Sequence, residues 1–136
     1  MLRRMVFSAA LAVFAVAPGL APVTAQQAVQ TQGVKRTILE THDVPGTGYQ
    51  AVLGIAEIGP NVAISRHTHP GPEISYILEG GLTLDVAGQP QRSVAAGQSI
   101  FVAAGTAHSG RAGPTGAKIL ANWIVEKGKP LASPAK

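Results

Sequence analysis

The 136-residue sequence contains no cysteine. That excludes a disulfide framework and a closed zinc site of the cysteine-rich kind. Aromatic residues make up only 4% of the chain, which argues against a large, flat, flavonoid-like substrate. Charge is also sparse, at 13%. No basic run exceeds Lys35-Arg36, so there is no footprint for nucleic acid. No apolar run is long enough to span a bilayer. The longest, residues 5–17 with Ser8 within it, covers 13 residues, short of the roughly 20 that a spanning helix needs. The length itself suits one domain and excludes a multidomain enzyme.

The apolar residues are unevenly placed. Residues 1–25 hold 18 of them, which leaves about 40% in the remainder, ordinary for a soluble domain. The order within this segment is a basic start (Arg3-Arg4), an apolar stretch, the breaker Pro18-Gly19 and a small residue, Ala25. That is the layout of a secretory signal peptide cleaved before Gln26. It implies an exported protein, periplasmic or secreted, with no stable membrane anchor once the leader is removed. The Arg3-Arg4 pair leaves general secretory and twin-arginine export both open.

Beyond the leader no segment has helical periodicity. Glycine and proline punctuate short stretches rich in β-branched and apolar residues, at about 37–41, 49–58, 63–67, 74–78, 81–86, 99–102 and 117–125. Leu82, Leu84 and Val86 alternate with Thr83, Asp85 and Ala87, the period of a strand with one buried face. Many short strands at this spacing predict an all-β sandwich or barrel over residues 37–127. Residues 26–36 and 128–136 read as loose tails.

The sequence has four histidines, at positions 42, 67, 69 and 108. His67 and His69 sit two apart, and on a strand both would face the same side. The turn Pro70-Gly71-Pro72 then lets Glu73 come back towards them, and His108 follows the turn at Gly105-Thr106-Ala107. Three imidazoles and a carboxylate suit one divalent first-row metal: iron or manganese first, with nickel, cobalt, copper or zinc also compatible. His42, in Thr41-His42-Asp43, reads as a solvated turn residue.

At these residues the sequence resembles the cupin superfamily, in particular small single-domain bacterial cupins. The series His67-x-His69-x3-Glu73-x6-Gly80 matches the end of the first cupin motif. Gly97-x5-Ala103-x-Gly105-x2-His108 keeps the spacing of the second. Three positions depart from the pattern. Seven residues instead of five separate Gly59 from His67, Ala103 stands where proline is usual, and Ala112 where the longer motif has asparagine. None of these is a candidate ligand.

The resemblance implies a small double-stranded β-helix, the jelly-roll barrel, with His67, His69, Glu73 and His108 as metal ligands inside one mouth. It also implies a homodimer. Tyr76, Phe101 and Trp123 are candidates to line the pocket, and Arg111 to stand at its rim. No nucleophile with an activating base is present. The expected function is therefore a metal-dependent oxidoreductase of dioxygenase type acting on a small organic molecule. The alternatives are a non-redox lyase or isomerase, and a non-catalytic protein that binds a small molecule or metal.

Overall fold

Short apolar segments bounded by glycine and proline become strands because each can bury one face against a second layer. A computed structural model describes residues 32–136 and holds eight strands and no helix among them. They are β1 (Val34–Asp43), β2 (Tyr49–Ile58), β3 (Ala63–Thr68), β4 (Glu73–Val86), β5 (Arg92–Ala95), β6 (Ser99–Val102), β7 (His108–Glu126) and β8 (Ser133–Pro134). The expected leader, residues 1–25, and residues 26–31 lie outside the described residues.

All pairings are antiparallel. The long strands β4 and β7 pair along most of their length and each serves two layers. In one layer the order is β1, β2, the second half of β7, the first half of β4, then β6. In the other it is β8, β3, the first half of β7, the second half of β4, then β5. The fold between layers falls where the register of β7 jumps from Ala117 to Ala112 while β4 advances only from Gly80 to Leu82. Gly80 has φ +67°, and a Cβ there would lie 2.1 Å from the Gly116 carbonyl oxygen, so the crease tolerates no side chain. Inward residues of both layers, among them Val52, Ile77, Leu84, Val94, Ile100, Ile119 and Val125, form one buried cluster. This is the all-β jelly-roll barrel.

Four local expectations change. The stretches 74–78 and 81–86 are one strand, β4, carried through the bulge at Glu79–Gly81. β5 was not legible, because only Val94 of its four residues is buried. The N-terminal tail ends sooner than residue 36. Val34 already pairs with Ile58 and Arg36 with Ala56, so Val34 and Arg36 share the inward parity. Nor do residues 128–136 form a loose tail. Leu131 and Ala132 are buried, Thr68 pairs with Ser133, and the Ala135 amide donates to the Arg66 carbonyl. Ser133 and Pro134 close the open edge of β3, next to the buried pair Leu131-Ala132.

Candidate metal centre

His67 and His108 are brought together by register, since they are direct partners across β3 and β7. His69 lies just past the end of β3 and keeps its alternation, so its ring turns inward as well. All three histidines are buried. Their ring centroids are 4.2–5.1 Å apart, and one ligand nitrogen from each lies within 4.8 Å of the others.

The turn that returns Glu73 is pressed flat on β7. A Cβ on Gly71 would stand 1.7 Å from the Ile124 carbonyl oxygen, and the Ile124 amide donates to the Pro72 carbonyl at 3.0 Å. The two histidine segments are also tied to each other, because the Gly105 amide donates to the His69 carbonyl at 2.9 Å.

Each ring has its Nδ1 against a backbone carbonyl: His67 on Ser65 at 2.7 Å, His69 on Leu131 at 2.5 Å and His108 on Thr106 at 2.9 Å. A carbonyl can only accept, so Nδ1 is the donor in each case. A neutral imidazole has one proton. With Nδ1–H committed, Nε2 presents a lone pair, the tautomer and orientation that a metal needs.

Glu73 completes the set. Its Oε2 lies 2.9 Å from His69 Nε2 and 3.6 Å from His108 Nε2, while Ser75 Oγ donates to Oε1 at 2.5 Å. His69 Nε2 nevertheless lacks the alignment of a hydrogen bond and is buried with no hydrogen-bond partner among the described residues. A lone pair facing a carboxylate in a buried site is repulsive unless a cation lies between them. The donor set therefore fits one divalent metal on three nitrogens and an oxygen, without thiolates.

The electrostatics agree. Burial, reinforced by the neighbouring His108 charge, pushes the His67 imidazole down to about 4, against the opposing hydrogen bond to Ser65. His67 is thus neutral and able to bind metal at ordinary pH. Burial alone would raise the Glu73 carboxyl. Without a metal, a proton on Nε2 of His108 or His69 would take the cation's place, and such imidazolium donors, with Ser75, outweigh burial and hold the group well below the usual carboxylate range.

The centre opens on a cavity of about 50 Å³, against the ~10–15 Å³ that one buried water needs. Apolar side chains from both layers, including Ile58, Leu82, Leu84 and Ile119, form most of its wall. Of the sequence-predicted pocket residues only Trp123 lines it, with its ring centroid 5.9 Å from that of His69. Tyr76 and Phe101 sit on the opposite parity of β4 and β6 and are 46% and 59% exposed on the outer face. Arg111 is exposed and donates to the Asn61 carbonyl at 2.8 Å, away from the cavity. His42 is exposed beside Glu40 at 2.9 Å, as its place at the end of β1 implies.

One cavity residue escaped sequence reasoning. Arg36 lines the same space as the histidines but falls in the stretch read as a tail. The signal was present in the alternation of Val34, Arg36 and Ile38, which puts a cation on an apolar parity.

A family model described as Cupin domain matches residues 54–121, half of the chain and both histidine segments. The chain belongs to the cupins. This cupin is 37% identical over 65 residues to dimethylsulfoniopropionate lyase DddW of Ruegeria pomeroyi, a match covering 48% of this chain and 42% of that protein. It thus spans well under two thirds of the curated relative. Among solved structures it resembles the DMSP lyase DddQ of Ruegeria pomeroyi, with a TM-score of 0.64 at 19% identity, over 75% of this chain and 51% of that one. It also resembles the polyketide cyclase RemF of Streptomyces resistomycificus, with a TM-score of 0.61 at 25% identity, over 78% and 73% respectively. The DddQ likeness, at that identity, is one of fold.

Two outcomes follow from the geometry of the centre. Elemental analysis of the isolated cupin is expected to give about one transition metal per chain, and His67→Ala/His69→Ala to abolish it. Equal metal in both proteins would remove the centre. The second outcome concerns the metal-free protein. Unfolded, His67 takes up a proton near pH 6.5; folded, it does so only near 4. Between these values the unfolded state binds more protons, so stability falls as pH falls through that window. Glu73, held low, adds its own loss below about pH 4.3, where unfolded glutamate protonates. Thermal melts from pH 7 to 4 should show the decline, and His67→Asn should flatten it above pH 4.3.

Proposed function

We propose that this cupin is a metal-dependent enzyme acting on a small organic molecule, with a reaction of the non-redox lyase type. The observation that carries the reading is the convergence of three outward-tethered imidazoles and Glu73 on a small apolar cavity. The 37% identity to a dimethylsulfoniopropionate lyase turns it towards lyase chemistry. His67, His69, His108 and Glu73 would hold the metal, which when bound supplies Lewis acidity towards a substrate oxygen. The chain's own residues do the rest. Ser75 keeps Glu73 in place, and the apolar wall excludes water and restricts the substrate to a few heavy atoms.

A dioxygenase-type oxidoreductase is the second reading, and one observation favours it. Among the described residues Glu73 is the only carboxylate on the cavity wall, and with its proton affinity so depressed it is a poor general base. Zinc separates the two because it has no redox chemistry. We expect the zinc-loaded protein to consume dimethylsulfoniopropionate, or another small organic acid in a panel with diketones and phenols, without oxygen. Consumption only with iron or manganese and only in air would replace the lyase by the oxidoreductase. Consumption under neither condition would leave a binding protein.

Export and pairing belong to the same proposal. The leader-like order of residues 1–25 supports export, which N-terminal sequencing of protein recovered from its native compartment tests. The outer-face apolar residues Ile74, Tyr76, Leu78 and Phe101 support a homodimer. Light scattering should give the mass of two chains, and Phe101→Lys should reduce it to one.

A further inference from the structure

Two groups on the cavity wall are not used by the metal centre. The first is Arg36. On β1 it pairs with Ala56 on the inward parity and lines the cavity with His67, His69 and His108. Burial lowers its proton affinity while the charge of Glu73 opposes the shift. A guanidinium nevertheless stays charged at ordinary pH. A cation held in apolar surroundings costs solvation that an anion can offset. Its five donors form a fork matched to a carboxylate, and a partner already held does not exhaust them.

The second group is Trp123. It is 3% exposed, and its Nε1 is buried with no hydrogen-bond partner among the described residues. An indole N–H donates only, and when buried it normally meets an acceptor. The residues lining one small cavity thus include a cation, Arg36, and a buried donor without a partner among the described residues, Trp123 Nε1. An oxygen-bearing anion could accept from the Trp123 donor and from the remaining donors of Arg36.

We propose that the cavity selects small monocarboxylates, with Arg36 as the anchor of the carboxylate and Trp123 Nε1–H as a second donor to it. The proposal rests on the cavity being a substrate site and adds the class of substrate. Arg36 is then a specificity-determining residue. It acts by discriminating an anion from a neutral molecule of the same shape.

Propionate and its neutral isostere propionamide test this by calorimetric titration of the zinc-loaded protein. Wild type should bind propionate at least ten-fold more tightly than propionamide. Arg36→Gln should bring the two within about three-fold of each other, chiefly by weakening propionate, with zinc content unchanged. Arg36→Lys, which keeps the charge but loses the fork, should fall between them and serves if the glutamine variant does not fold. Trp123→Phe should weaken propionate without changing zinc. Arg36→Gln that keeps the full preference for propionate overturns the proposal. So does a wild type that binds neither probe, or both equally. A purely structural Arg36 would weaken both probes alike or lower zinc content, and either result also overturns it. Absence of turnover alongside an intact, Arg36-dependent preference for propionate would remove the enzyme reading and leave this inference standing.

Discussion

Each imidazole at the centre has one proton to place, and in all three it goes outward to a backbone carbonyl. The rest of the centre depends on that choice. Because Nδ1–H is spent on Ser65, Leu131 and Thr106, the three Nε2 lone pairs are left to face one another across the barrel. Side-chain partners could have done the same work, but rotamers move. Carbonyls in strands and tight turns are held by the ladder itself, so the direction of each ring is inherited from the sheet.

The same economy applies to charge. A buried carboxylate among lone pairs is unfavourable in isolation; Ser75 satisfies one Glu73 oxygen, and the other, facing the His69 and His108 Nε2 atoms, needs a cation between them. The consequence is a site strongly biased towards a cation. Arg36 extends the pattern outward. Acid and base alternate from the histidines through Glu73 to Arg36, and the apolar wall keeps water from screening them.

The fold and the four candidate ligands were legible because they follow from periodicity and spacing. Alternation marks strands, two-residue spacing puts His67 and His69 on one face, and a Pro-Gly-Pro turn returns Glu73. The register that sets His67 opposite His108 is a long-range pairing, which no local pattern announces. Parity also decided the aromatics. Tyr76 and Phe101 lie on predicted strands as expected, but only the turns at each strand's start determine which face is inside. They face outward, whereas Trp123 faces in. Arg36 was lost for a different reason. A cation between Val34 and Ile38 reads as a solvated tail until the strand beside it is known. Leu131 contributes through its carbonyl, and a backbone oxygen has no sequence signature at all.

That carbonyl gives the segment after β7 a role that its composition hides. Residues 131–134 close the edge of β3 and, through Leu131, orient the ring of His69. Seating this strip and shaping the ligand sphere are therefore one equilibrium. A metal bound there would also hold the strip down, and whatever peeled the strip away would loosen that metal. A barrel whose seam is fastened from its own centre reports its loading at its surface.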